Sequence, residues 1–378
     1  MTFRLLRNPS TGTPGTVVLP AGGYRRAKAE ITRWPGYAPT KLHDLPALAD
    51  AAAVAVVRIK DESERFGLGS FKALGGAYAV ADSLLAEIER RHGAGSAKMD
   101  DLIARRLPAG DITVACATDG NHGRSVAWGA ASFGSPCCIF VHETVSAGRV
   151  AAIEQFGAQV RRVSGTYDDA VRAAAETAER EDWLVISDTS WPGYTEVPRL
   201  IMQGYRLMPD EALDQWSGEP PTHVFIQAGV GGVAAAVSVQ MRARLSPSPA
   251  LIVVEPERAA CLFASAEAGR IAAIGGDLDT IMAGLACGEP SLLAWQELER
   301  ASTAFVTIDD EAAISAMRSL AGQGVVSGES GAAGLAGLLA VAADESARAI
   351  LGLTAQSRVL LFSTEGATDP DLYARLVG

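Results

Sequence analysis

Thr113-Val114-Ala115-Cys116-Ala117-Thr118-Asp119-Gly120-Asn121-His122-Gly123-Arg124 reads as a short apolar strand, a glycine turn and the opening of a helix. Five small or β-branched residues without a charge suit a strand buried on both faces. The turn that follows is made of residue types that end strands and cap helices. The alternation extends in both directions. Downstream, a helix at Arg124–Phe133 is followed by a strand at Pro136–Val141, a helix at Ser146–Phe156 and a strand at Gln159–Val163. An alanine-rich helix at Tyr167–Arg180 and a strand at Trp183–Ser187 complete that run. After Tyr194 the pattern resumes with helices near Glu196–Met208 and Asp210–Trp216, a strand at Thr222–Gln227, a helix at Gly232–Leu245 and a strand at Leu251–Glu255. A helix at Ser330–Ala343 and a strand at Val359–Ser363 close it. Upstream, Val54–Lys60 is a buried strand and Lys72 to Arg91 a helix, while residues 1–40, rich in Gly, Pro and Arg, read as an irregular arm. Such alternation predicts an α/β fold, parallel sheets covered by helices.

The chain has 378 residues, 48% of them hydrophobic, which suits two domains with a core each. The smaller α/β domain, 79–193, is read as nested within a larger one formed by 1–78 and 194–378. A net charge of −11 lacks the basic face that a nucleic-acid or anionic-membrane partner needs. It leaves open a small anion bound by backbone N–H groups. The five cysteines form no C-x-x-C pair, and His122 is the only histidine near Cys116, so no metal site is read. The first residues carry no apolar core of a signal peptide, and no uninterrupted apolar run reaches the ~18–20 residues of a membrane span. The reading is a cytoplasmic protein with free thiols, a redox link between Cys261 and Cys287 being the alternative.

Four motifs carry chemistry, each just after a strand or at a helix start, where ligands of open α/β sheets bind. In Ser70-Phe71-Lys72-Ala73-Leu74-Gly75-Gly76-Ala77, an amine stands between an aromatic ring and a glycine pair. Desolvation there lowers a lysine pKa, and a neutral amine forms a Schiff base with an aldehyde; the alternative is an ordinary lysine on a surface helix. Gln227-Ala228-Gly229-Val230-Gly231-Gly232 lets the backbone approach a ligand and ends at a helix N-terminus, the makings of a phosphate cradle. No Gly-Lys-Ser/Thr follows and the spacing is not Gly-x-Gly-x-x-Gly, so neither nucleotide fingerprint is present. In the opening stretch Asn121 could bond a phenolate and Asp119 could do acid–base work, or both could shape the turn. Asp188 ends a strand as a second carboxylate or a capping residue. Ser363-Thr364 ends the last strand with hydroxyls that could meet a ring nitrogen. An amine, a phosphate cradle, an asparagine turn and a neutral hydroxyl are the parts pyridoxal phosphate needs.

The chain resembles the fold-type II pyridoxal-phosphate enzymes, the tryptophan synthase β and threonine dehydratase group. Within that group it is similar to the diaminopropionate ammonia-lyases, through Lys60-Asp61-Glu62-Ser63 to Leu68, Ala117–Arg124, Gly193-Tyr194-Thr195, Ile201–Tyr205, Gln227–Gly231, Thr280–Pro290 and Ser327–Gly331. The resemblance covers about residues 35 to 370. It implies two open, mostly parallel sheets with the active site between domains, and a homodimer. Lys72 would carry the cofactor and then act as a base. Gly229, Val230, Gly231 and Gly232 would bind its phosphate, Asn121 its O3′, and Ser363 or Thr364 its pyridine nitrogen. Asp119 stands where dehydratases of this fold have serine, and a carboxylate there suits a β-ammonium group. The family accepts D and L isomers, which implies two bases, Lys72 and Asp119, with Asp188 holding the substrate amine. The implied reaction turns 2,3-diaminopropionate into pyruvate and two ammonia. A lyase of the same fold acting on serine, threonine or 3-hydroxyaspartate is the alternative. Ala367, where an aspartate is expected, and Ser70 depart from the pattern, and residues 1–34 match nothing in it.

Overall fold

A computed structural model describes residues 2–118, 120–143, 145–165 and 167–378. Eleven strands run in chain order: β1 Phe3–Arg7, β2 Leu42–Asp44, β3 Val56–Asp61, β4 Val114–Ala117, β5 Cys137–His142, β6 Gln159–Val163, β7 Leu184–Val185, β8 His223–Gln227, β9 Ala250–Pro256, β10 Ala304–Ile308 and β11 Arg358–Ser363. They form two sheets, as the alternation predicts. One has the order β1-β10-β9-β8-β11-β3-β2 and the other β6-β5-β4-β7. The smaller sheet is parallel throughout. In the larger one the five inner strands are parallel, and only the edge strands β1 and β2 are antiparallel.

The chain divides into two compact units. The first comprises Met1–Pro20, Pro39–Phe71 and Tyr205–Gly378, the second Ala21–Ala38 and Lys72–Gly204. The sequence reading set the joins at 78/79 and 193/194. Lys72 goes with the second unit because the helix Ala73–His92 packs along the helix Asn121–Phe133, where a Cβ on Gly76 would stand 2.0 Å from Ser125 Oγ. The first unit's core gathers inner-strand residues Phe225, Ile252, Val306 and Leu361 with Leu335 and Leu338 of the apolar helix Ala333–Ala342. The second unit has a smaller cluster around Ala115, Cys138, Phe140, Ala170 and Ala174.

The irregular arm expected over residues 1–40 is corrected. β1 pairs with β10, Leu5 opposite Val306, and Ala21–Ile31 is a helix. Neither shows in the local pattern: β1 is five residues with an arginine at each second and fifth place, and only a distant sheet edge makes it a strand. The helix expected from Arg124 begins at Asn121, because Thr118 Oγ1 accepts the N–H groups of Gly120 and Gly123, both at 3.1 Å. All five cysteines are free thiols, so Cys261 and Cys287 are not linked. No helix among the described residues is long and apolar enough to cross a membrane.

Candidate active site

Within the second unit, Lys72 has helical backbone angles and leads directly into the helix Ala73–His92. Its Nζ donates to Asp188 Oδ2 at 2.6 Å. Both side chains are mostly buried, 21% and 17% exposed, so this is an ion pair in a low-dielectric place and not a lysine extended into solvent. Burial works against the Asp188 charge, but Lys72 and His122 outweigh it and hold the carboxyl well below the usual range. His122 Nε2 lies 2.8 Å from Ile186 O, and its Nδ1 stands 3.8 Å from Asp188 Oδ2. Burial pushes the His122 pKa down, against the pull of the Asp188 carboxylate. Asn121 is the first residue of its helix. Asp119 lies outside the described residues.

Within the first unit, β8 ends at Gln227 and the helix Gly232–Arg244 begins five residues on. Gly231 between them has φ of 98°, a left-handed angle that favours glycine. A Cβ on Gly229 would meet Cys287 Sγ at 2.9 Å. Among the described residues the N–H groups of Gly229, Val230, Gly231 and Gly232 find no acceptor. Three of these four residues are buried, and buried donors without acceptors at a helix start are a site for an anion. At the end of β11, Ser363 Oγ donates to Ser327 Oγ at 2.8 Å, and Thr364 Oγ1 accepts from Gln227 Nε2 at 2.8 Å. Gln227 also donates to Phe362 O at 2.9 Å and Gly331 O at 3.1 Å. It thereby ties the root of the glycine loop to the hydroxyl-bearing strand end. The segment before Lys72 is tied to the same place: Phe71 N–H donates to Thr364 O at 3.1 Å and Gly366 N–H to Gly69 O at 2.9 Å.

The family of pyridoxal-phosphate-dependent enzymes matches residues 33–355. The chain belongs to that family. It is 41% identical over 356 residues to the diaminopropionate ammonia-lyase of Escherichia coli K12, a match spanning 90% of this chain and 88% of the relative. It is 39% identical over 362 residues to that of Salmonella typhimurium LT2, spanning 91% and 89%. The crystal structure of the Escherichia coli diaminopropionate ammonia-lyase in complex with the aminoacrylate-PLP azomethine reaction intermediate superposes with a TM-score of 0.90 at 37% identity, covering 100% of this chain and 97% of that one.

The residues present fit pyridoxal phosphate. In the first unit, the N–H donors of Gly229–Gly232 could take a phosphate without any basic side chain, and Ser363 and Thr364 carry neutral hydroxyls; in the second, Lys72 is an amine that could take the aldehyde. Sequence reasoning missed Gln227 as a hydrogen-bonding residue and Tyr194 beside Asp188. Gln227 stands in the sequence as the end of a strand and the first residue of the glycine motif, with no role for its side chain, and its partners lie 104 to 137 residues away. Tyr194 had a signal in the Pro192-Gly193 turn that precedes it.

Proposed function

We propose that this pyridoxal-phosphate-dependent enzyme is a carbon–nitrogen lyase that eliminates the β-amino group of 2,3-diaminopropionate, from both the D and L isomers. The Cβ–N bond breaks and ammonia leaves. The 2-aminoacrylate released takes up water to give pyruvate and a second ammonia. The observation that carries the substrate is the 41% identity to a diaminopropionate ammonia-lyase across 90% of the chain. When bound, the cofactor supplies the electron sink that takes up the charge left at Cα once its proton is removed.

The chain's own residues do the rest. Lys72 Nζ would hold the cofactor through its aldehyde carbon and would accept the α-proton on one face. Asp119 is the proposed base for the opposite face. Asp188, kept anionic beside Lys72, counters the positive charge on Nζ and on the substrate amine. Gly229, Val230, Gly231 and Gly232 bind the phosphate, Asn121 the O3′ atom, and Ser363 or Thr364 the pyridine nitrogen as a hydroxyl that leaves it uncharged. A homodimer in the cytoplasm goes with this reading, supported by the family resemblance; sedimentation at two protein concentrations tests the dimer.

The test is a substrate panel on purified protein, with pyruvate and ammonia read separately. Two ammonia per pyruvate from both isomers of diaminopropionate is the expected result. One ammonia per 2-oxo acid from serine, threonine or 3-hydroxyaspartate, with diaminopropionate inert, would replace it with a dehydratase.

A further inference from the structure

Trp191-Pro192-Gly193-Tyr194 folds into a tight turn just beyond Asp188. Trp191 N–H donates to Tyr194 O at 3.3 Å and Tyr194 N–H to Trp191 O at 2.9 Å. Pro192 pre-sets the first central angle of the turn, and Gly193 takes a φ of 91° at the second. That is the type II pattern, which needs glycine there. The turn stacks the Trp191 and Tyr194 rings, 4.3 Å between centroids and 17° between planes. It also brings the Tyr194 hydroxyl back onto the strand that precedes it. Tyr194 Oη accepts the Ser187 N–H at 3.0 Å and donates its single proton to Val185 O at 2.8 Å.

Those two bonds stand where the sheet stops. β7 has only Leu184 and Val185 in the ladder, and Asp188 lies three residues past its end. On the other edge of this short run, Ile186 N–H donates to Ala115 O at 2.8 Å, and Ile186 O meets His122 Nε2. The phenol therefore serves as a substitute for a neighbouring strand along residues 185–187. The next residue is the carboxylate that holds Lys72. The titratable groups set around Asp188 are Lys72, His122, Cys116 and Tyr194 itself. Burial pushes the Cys116 thiol and the Tyr194 phenol up, so both stay uncharged.

We infer that Tyr194 is a positioning residue: its hydroxyl fixes the 185–187 backbone and so holds the Asp188 carboxylate against Lys72 Nζ. It touches no reacting atom and acts through Asp188. This rests on the reading that Lys72 carries the cofactor.

The experiment is a pH titration of the visible absorbance of the cofactor bound to Lys72 in the resting holoenzyme, for wild type, Tyr194→Phe, Asp188→Asn and the double variant. The phenylalanine keeps the ring and its stack and removes only the hydroxyl. A carboxylate held less firmly favours the protonated nitrogen less, so Tyr194→Phe lowers the midpoint by about one unit. The kcat falls by about tenfold with KM changed less than about twofold, since positioning and not uniform binding is lost. In the Asp188→Asn background the Tyr194→Phe shift disappears, because the two act as one device. An unmoved midpoint in Tyr194→Phe, or the same shift in both backgrounds, overturns the inference. If Tyr194→Phe does not fold, Gly193→Ala displaces the same turn through its φ, and a midpoint unmoved there overturns it equally. A wild-type protein with no titratable absorbance overturns the cofactor reading itself.

Discussion

Lys72 follows a segment whose backbone is already fixed: Phe71 N–H is spent on Thr364 O, and Ser70 bridges to Glu365. The ammonium is then held by Asp188 at 2.6 Å. An amine so placed is mostly buried, as the glycine-flanked motif suggests, and is anchored by a carboxylate that the motif does not reveal. Lys72→Ala is therefore expected to lower turnover on both isomers by on the order of 10³-fold or more, and to remove the borohydride-trapped adduct from this position; mass spectrometry of the reduced peptide checks it. Asp119→Asn is expected to cut turnover mainly on the D isomer, by ~10²-fold or more, while the cofactor absorbance is unchanged. Equal losses on both isomers would remove the two-base reading. Lys72, Asp188 and the glycine loop were readable in the sequence as candidates, the first two as ionisable side chains at a helix start and a strand end, the last as a run of glycines leading into a helix. Gln227 was not. An amide carries no reactive signature, and its work here is to join three acceptors that come together only in the folded sheet.

Elements with a strong local pattern matched their expected spans to within a few residues, β8, β9, β11 and the helix Gly232–Arg244 among them. The stretch between β9 and the helix Ala333–Ala342 carried no assignment, yet holds the helices Cys261–Ala268, Leu292–Ala301 and Asp310–Ala321 and the strand β10. Cys261–Ala268 starts without a side-chain cap of its own. Glu255, at the end of β9, supplies one from outside, accepting the N–H groups of Leu262 at 2.8 Å and Phe263 at 2.7 Å. Burial pushes the Glu255 carboxyl up to about 8, against those two bonds, from an ordinary 4.5. A folded-state value above the unfolded one contributes stability that is complete at low pH and is lost as pH rises through 8. The unfolding midpoint is expected to fall between about pH 5 and pH 8, with a slope of up to ~1.4 kcal/mol per unit, and Glu255→Gln is expected to flatten that slope. Calorimetry across the pH series checks it, and identical slopes in the two proteins would show that Glu255 does not titrate there. Close packing of elements gives a second expectation. A Cβ on Gly204, in the helix Glu196–Tyr205, would stand 1.9 Å from Leu74 O. Backbone cannot yield as a flexible side chain can, so Gly204→Ala is expected to lower stability by about 3 kcal/mol, read as a drop in the urea midpoint.

At the scale of the molecule, the first unit is assembled from three separate stretches of chain, and a buried set of charges joins two of them. Lys60 and Glu62 are 0% exposed and Arg65 is 1% exposed. Arg65 forks to both oxygens of Glu62 at 2.8 Å and to both oxygens of Glu211 at 2.9 and 2.7 Å. Lys60 Nζ meets Glu211 at 2.8 Å and donates to Thr40 O at 2.6 Å. In the sequence, Lys60 reads as the end of a buried strand, with nothing to show what the charges of Lys60, Glu62 and Arg65 meet. Burial of the set follows from Glu211, about 150 residues on, which local spacing cannot reveal. Two cations face two anions, so the set is neutral as long as it is whole. Burial works against the Glu62 charge, and Arg65 is what holds its carboxyl low. Arg65→Met leaves two carboxylates with one ammonium and is expected to cost about 3–5 kcal/mol, whereas Arg65→Met with Glu62→Gln restores the balance and recovers a large part of that. The loss should appear as an earlier urea midpoint with unchanged m, since a charge set spanning distant parts of the chain fails with the whole unit and not as a local opening. The folded fraction of the double variant should keep turnover within a few-fold of wild type. A single variant as stable as wild type would mean that water reaches these carboxylates, and a double variant no better than the single would mean that the methionine's packing, and not the unpaired charge, is what costs.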